Sequence, residues 1–430
     1  MHERFVLLGL ARARSDWFRL VGQWATAAAI PAEFVRCVSV DEVRARLTSG
    51  RAFSALLVDA AVSGLDRDLL AAAASVECPT IVVDTVDATR DWRGVGAAAV
   101  LAPLFSRDEL LEVLHAHARP ISTAAAPPRP RQDAPTATAS GRLVAVTGPG
   151  GTGASTAAIA LAQGLAGRGG EGRRRDVLLA DLCRVADQAM LHDARSLVPG
   201  VQEVVEAHRT STVPLDELRA QTFEVPERGY RLLLGLRRPR HWVSLRPRAL
   251  ESAIDGLLRL ADVVVADVEA DLEGEAETGS VDVEERNAMA RTTVGRADVV
   301  VVVGEPSMKG CHALVRVLGD LIEFGVDPQR LLTVVNRSPR SPRARAELTT
   351  AVASLLQAGH AGLSLSTPVH LPLRRVDQAL RDGVALPAPL PETLAGAVHA
   401  MLERSGPPAG VGPEPVPVAP GTLSPFSQDA

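Results

Sequence analysis

The sequence predicts an α/β protein of two domains, each built on a mostly parallel sheet with helices on both faces. Three observations carry this. Short apolar runs alternate with stretches of helical periodicity along most of the chain. A proline-rich stretch without apolar periodicity, residues 122–140, cuts that alternation in two. In the longer part, a buried-strand pattern runs straight into a glycine-rich turn and then an alanine-rich helix, at residues 143–166.

A chain of 430 residues suggests two or three domains. Apolar residues make up 46% and charged ones 23%, which excludes a wholly disordered chain. No run reaches the ~18 apolar residues of a membrane span. The net charge of −5 supplies no global basic field, which argues against strong non-specific nucleic-acid binding. Lys309 is the one lysine, and nearly all other cations are arginine. Such a bias favours arginine over lysine but does not explain alanine in a lysine's place. Cys37, Cys78, Cys183 and Cys311 lie far apart with no C-x-x-C pair, so neither a disulfide framework nor a zinc site is expected. The opening MHERFVLLGLARARSDWF has no small-residue cleavage site, and a cytoplasmic protein is expected.

In residues 1–121 the strand-like runs are FVLLGL, SALLVDA, PTIVVDT and AAAVLAP, separated by helical stretches. The last helix is predicted from Arg107 to Ala118, with Ser106 as its N-cap. Residues 122–140 predict a flexible linker. Residues 141–404 repeat the alternation with LVAVT (143–147), VLLADL (177–182), RLLLGL (231–236), VVVAD (263–267), VVVVVG (299–304), LLTVVN (331–336) and PVHLP (368–372). These runs are continuous, as in strands covered on both faces, and predict a doubly wound parallel sheet. Helical patterns fall at 154–166, 250–261, 285–296, 310–324 and 343–358. Residues 405–430 are proline-rich, cannot bury a core, and predict a disordered tail.

The glycine-rich turn carries the most chemistry. Gly148, Gly150, Gly151 and Gly153 let the backbone wrap closely. The amides around Thr152, Ala154, Ser155 and Thr156, at a helix N-terminus, can then point at a phosphate. Ser155 occupies the hydroxyl position that would hold Mg²⁺.

Residues Gly148 to Thr156, GPGGTGAST, resemble the GKGGxGKTT loop of the MinD/ParA deviant-Walker ATPases, except that Pro149 and Ala154 replace its two lysines. The ending GAST is similar to the TadZ/CpaE branch, pilus-assembly localisation proteins with a receiver-like domain ahead of the ATPase-like one. The resemblance implies a receiver-like N-terminal domain and a P-loop NTPase-like domain of the SIMIBI type. It extends through VLLADLCRVADQAML, where Asp181 matches the first switch I aspartate and Cys183 replaces the second. VVVADVEAD matches the Walker B strand, with Asp267 at the Mg²⁺-linked position, and VVNRSPRS places Asn336 near a purine base. PVHLPLRRVDQALRDGVALP is similar to the family's closing segment. The cofactors implied are ATP and Mg²⁺, the latter on Ser155 and Asp267.

A P-loop lysine about 4 Å from a phosphate oxygen is worth roughly 4 kcal/mol at an effective dielectric near 20. Without either lysine or the water-positioning aspartate, no catalytic residue is assigned, and at most a weak ATPase is expected. The acidic stretch after Asp267 (Glu269, Asp271, Glu273, Glu275, Glu277) is expected to be a solvated insertion. In the receiver-like domain, Asp59 ends a strand and Thr85 follows the next. No acidic pair accompanies them, and Ala102-Pro103 stands where Lys-Pro belongs. Docking or dimerisation is therefore expected there, not phosphorylation.

By resemblance, the protein is expected to be a spatial regulator or assembly factor for septum placement in cell division or for a Tad-type pilus apparatus, recruited to the pole or septum. Expected partners are a second copy across the P-loop face, and a Tad secretion ATPase or cell-division proteins. The end is proline-rich, so direct membrane binding through a C-terminal amphipathic helix is not expected. One alternative is a slow MinD-like ATPase that switches between monomer and dimer. Another is a ParA-like DNA-binding regulator using Arg237, Arg238 and Arg240, although DNA is not the expected partner.

Overall fold

A computed structural model of the chain describes residues 4–12, 15–27, 29–84, 90–121, 141–167, 175–359 and 365–405. The linker expected at 122–140, Thr85, and residues 406–430 of the expected tail lie outside the described residues.

The first sheet is made of β1 (Phe5–Leu10), β2 (Ala32–Cys37), β3 (Ala55–Asp59), β4 (Thr80–Val83) and β5 (Ala99–Leu101). All pairs are parallel, in the order β2-β1-β3-β4-β5. This is a doubly wound order of the receiver-like kind, in which the winding reverses between β1 and β3. The strand β2 was not among the expected runs. It lies at the sheet edge, where AEFVRC carries charge and buries only its two ends. The helix Arg107–His117 starts as predicted: Glu109 N donates to Ser106 Oγ at 3.2 Å and Ser106 N to Glu109 Oε2 at 2.6 Å.

The second sheet holds β6 (Arg142–Thr147), β7 (Val177–Asp181), β8 (Phe223–Val225), β9 (Tyr230–Leu233), β10 (Val263–Asp267), β11 (Val299–Gly304), β12 (Leu331–Ser338) and β13 (Val369–Pro372). Their order is β13-β12-β11-β6-β10-β7-β9-β8, with only β8 antiparallel to its neighbour. Both outer strands are short, with three residues in β8 and four in β13. Every residue of β11 is buried, and so is every residue of β10, because alternate side chains enter two separate cores. One core receives Val144, Val265 and Val301 under the helices Ala154–Ala166 and Pro389–Arg404. The other receives Ala145, Val264 and Val300 under Pro247–Leu260, Ala288–Arg296 and Met308–Glu323. The helix expected at 285–296 is two helices, Val281–Arg286 and Ala288–Arg296, that meet at Asn287. The hairpin strand β8 and the helix Pro389–Arg404 were not anticipated.

The two units touch through helix ends. Asp68 Oδ1, in helix Arg67–Ser75, accepts the backbone N–H of Arg248 in the first turn of Pro247–Leu260, at 3.1 Å. Arg67 N donates to Arg209 O at 2.9 Å, and Arg67 Nε to His208 O at 3.3 Å, just beyond helix Val201–Ala207. The buried Asp66 accepts Arg209 Nη2 at 3.0 Å and caps its own helix through Leu69 N at 3.0 Å. Unpaired helix-end groups of one unit are thus satisfied by the other.

Candidate functional site

The glycine-rich turn leaves β6 at the carboxyl edge of the second sheet, beside the point where the chain crosses from β10 over β6 to β11. Open α/β sheets bind ligands at such a place. A Cβ on Gly148 would lie 2.3 Å from Val303 O, so only glycine lets the turn pass so close to β11. Gly151 and Gly153 have φ of +82° and +88°, in the left-handed region, and a Cβ on Gly153 would meet Asn336 Nδ2 at 2.6 Å. Thr152 folds back under the loop, its Oγ1 donating to Pro149 O at 2.8 Å and its N to the same oxygen at 3.3 Å. Helix Ala154–Ala166 follows at once, and the space above Gly150 and Gly151 is open. The first-turn amides of Ala154, Ser155 and Thr156 therefore sit where the anion-cradle reading needs them.

Asn336, near the end of β12, is spent on the loop itself. Its Nδ2 donates to Thr152 O at 2.8 Å and its Oδ1 accepts Arg337 N at 2.9 Å. The neighbouring Arg337 escaped the sequence reading. Its backbone has φ of +52°, and its guanidinium Nη1 lies 3.3 Å from Gly151 O and 3.6 Å from Glu305 Oε2. One arginine thus stands beside a loop that carries no lysine.

Asp181 and Asp267 end β7 and β10 and face each other across the strand pair. Together with Cys183 they place three ligand-type atoms within 4.8 Å of one another. Each is already engaged by the protein. Asp181 Oδ1 accepts Cys183 N at 3.2 Å, and its Oδ2 accepts Gln188 N at 2.9 Å. Asp267 Oδ2 accepts Gln188 Nε2 at 2.7 Å, and the Cys183 thiol lies close to the carboxylate pair. The same Gln188 Nε2 donates to Ser155 O at 3.2 Å. Burial pushes the Asp267 carboxyl up to about 6 and raises Asp181 well above the carboxylate range, with the Asp267 charge adding to the latter. Burial likewise keeps the Cys183 thiol protonated.

Gln188 is held in turn. It opens the short helix Gln188–Leu191, and His192 Nδ1 donates to Gln188 O at 2.7 Å while Nε2 accepts the Tyr230 hydroxyl at 2.6 Å. Burial lowers His192 to about 4, so the ring is neutral at pH 7 and this pair of roles is the one that fits. Nothing in the spacing of the sequence marks Gln188, His192 and Tyr230 as neighbours of the loop.

The structure thus gathers Gly148, Gly150, Gly151, Thr152, Gly153, Ala154, Ser155, Thr156, Asp181, Asp267 and Asn336 at one sheet edge. The backbone turn has no atom within 4 Å of where side chains on Gly150 and Gly151 would start. A divalent cation on Ser155 and Asp267 does not fit the side chains as they stand, because the Gln188 Nε2 donor is bound to Asp267 Oδ2 and to Ser155 O between them.

The acidic run after Asp267 is solvated in its later part, where Glu273, Glu275 and Glu277 are exposed, but its first two acids are tied to the fold. Glu269 pairs with Arg184 at 3.2 Å and accepts Val185 N at 3.0 Å, and Asp271 pairs with Arg286 at 3.1 Å and with Asn287 Nδ2 at 2.9 Å. In the arginine cluster, Arg237 pairs with Glu203 at 2.9 Å and Arg248 with Glu251 at 2.9 Å, which offsets part of its charge. Asp59 accepts Ser15 Oγ at 2.8 Å and Ala61 N at 2.9 Å, so both its oxygens are taken.

No family profile and no curated protein matches the chain. Solved structures similar to it include a ParA-family ATPase from Chlorobium tepidum, 15% identical, with 61% of this chain and 96% of that one covered and a TM-score of 0.44. The septum site-determining protein MinD of Pyrococcus horikoshii, complexed with Mg-ADP, is 18% identical, with 61% and 98% covered and a TM-score of 0.44. The MinC:MinD cell division complex of Aquifex aeolicus gives 17% identity, 60% and 96% coverage and a TM-score of 0.43. No helix among the described residues is long and apolar enough to cross a membrane.

Proposed function

We propose that the protein is a spatial regulator or assembly factor built on a phosphate-loop domain that has given up fast turnover. The finer reading is a TadZ/CpaE-like protein, with its nearest resemblance in sequence to the septum-site-determining proteins of actinobacteria. It would act in septum placement or in positioning a Tad-type secretion apparatus. Its partners would be a second copy, and a secretion ATPase or division proteins.

One observation carries the reading. A buried strand runs through left-handed Gly151 and Gly153 into a helix, which supports an anion cradle, while Pro149 and Ala154 bring no charge and the Gln188 amide donates to Asp267. Hydrolysis of a triphosphate depends on cations that neutralise the transferred group, so such a loop retains binding and shape without rate. The docked receiver-like unit supports the same reading. Asp59 has both oxygens engaged, which suits a fixed surface better than a phosphorylated switch.

The test uses the full chain in its own cells. A fluorescent fusion is expected to concentrate at the pole or septum, and Ser155→Ala is expected to leave that pattern in place. A diffuse signal would count against a positioning role. Ser155-dependent ATP turnover at the rate of intact ParA-type enzymes would replace this reading with that of a nucleotide-switched ATPase.

A further inference from the structure

We propose that Gln188 is a built-in occupant of the cation seat between Ser155 and Asp267, so that the phosphate loop is a divalent-cation-independent cradle. The inference deepens the anion-cradle reading given above and rests on it, but not on any role in cell positioning.

The geometry of the amide is that of a bridge. Gln188 Nε2 has two N–H groups, one reaching Asp267 Oδ2 at 2.7 Å and the other Ser155 O at 3.2 Å. It therefore joins the end of β10 to the first turn of the helix after the loop. A divalent ion bound there would need lone pairs from the same neighbourhood and would repel the N–H groups now pointing in. Gln188 is fully buried, so the amide is not a surface group resting there by chance. Its orientation is also dictated. Turning the amide over would set Oε1 against the Asp267 carboxylate, oxygen against oxygen, and lose the strongest bond of the set. Oε1 itself is buried without a partner, so the fold tolerates one unsatisfied acceptor to keep the donor where it is.

The surroundings fix the residue from behind. Its backbone N–H is bound to Asp181 Oδ2 at 2.9 Å, and its carbonyl is held at 2.7 Å by His192, which Tyr230 orients. To admit an ion, the side chain would have to give up both bonds of its amide, to Asp267 Oδ2 and to Ser155 O. What remains for a ligand is the loop's amides, with Arg337 beside them. The chemical class that fits is a phosphate-bearing anion that arrives without a metal.

The experiment needs no nucleotide. Mn²⁺ is titrated into the full-length chain and its binding is followed by electron paramagnetic resonance. Gln188→Ala is expected to bind Mn²⁺ at least tenfold more tightly than the native chain, and adding Asp267→Asn is expected to abolish the gain. A difference below tenfold overturns the proposal, as does a gain that survives Asp267→Asn. Should Gln188→Ala fail to fold, Gln188→Glu decides, because it keeps the shape and replaces the donor with an acceptor. Mg²⁺ is expected to raise the melting temperature of Gln188→Glu and to leave that of the native chain unchanged; equal shifts in both would overturn the idea. A failure here leaves the localisation test untouched, and a failure of that test leaves the metal titration standing.

Discussion

Asp68 in the smaller unit caps a helix of the larger one, its Oδ1 lying 3.1 Å from the amide nitrogen of Arg248. An N-cap normally comes from the residue just before the helix, but Arg246 has no side chain suited to the task and Pro247 follows it. The capping group is supplied from another domain. Asp68→Ala is expected to cost about 0.5–2 kcal/mol, the range for losing an N-cap. Urea unfolding would measure the loss, and small-angle scattering would show a larger radius as the units part. An unchanged midpoint and radius would mean that the domains are held elsewhere.

The Asn336 clamp on Thr152 makes a second prediction. Asn336→Ala leaves a loop carbonyl without its partner, which is expected to cost about 1–3 kcal/mol. Amide exchange at residues 150–154 is expected to speed up, with little change in the distant helix Arg107–His117. Exchange rates that do not move would show that the loop keeps its shape without the clamp.

Restoring one charge separates binding from chemistry. Ala154→Lys is expected to tighten the binding of labelled ATP at least tenfold, since ~1.4 kcal/mol suffices for that and a close charge offers more. Turnover is expected to stay at background, because the resemblance puts Cys183 in the place of a water-positioning carboxylate. Tighter binding accompanied by rapid hydrolysis would contradict the second half. Unaltered binding would mean that the loop does not face a phosphate at all.

The pH dependence of stability has a sign that a variant can reveal. The Asp267 carboxyl is raised to about 6 in the fold from an ordinary value of 3.8. Between those values the folded chain holds the extra proton, so this group's contribution falls as pH rises from about 4 to 6. Asp267→Asn removes that penalty while keeping an oxygen for Gln188. It is expected to gain about 1–3 kcal/mol at pH 8, from two pKa units at ~1.4 kcal/mol each less the lost charge, and nothing near pH 4. His192, lowered from 6.5 to about 4, slopes the other way: its contribution is lost as pH falls from 6.5 towards 4. The variant's stability should therefore rise through that window more steeply than the native chain's. Parallel unfolding curves at pH 4 and pH 8 would check both statements.

The sheet was legible where burial alone decides the residue types. VVVAD and VVVVVG are buried throughout, and no other assignment suits such runs. The edge strand AEFVRC was not, since half-solvated residues leave no pattern to read. The loop was legible because its glycines answer to backbone geometry, which is local. Gln188 was invisible, since its importance arises only when β7, β10 and the helix after the loop meet. The ion pair of Asp271 in the acidic run was illegible for a related reason: its partner Arg286 comes later in the chain and folds back onto it. Asn336 was expected near a purine base, whereas its amide is spent on Thr152 O, a use that depends on the bare Gly153 backbone that it approaches.

The outermost strands of the large sheet, β8 and β13, have a consequence for any array this protein builds. With three and four residues, and a proline at the end of β13, they expose almost no ladder on which another backbone could continue. Growth by stitching sheet to sheet is closed off along both of those rims. Copies that meet there must recognise one another through side chains, not through a shared backbone ladder.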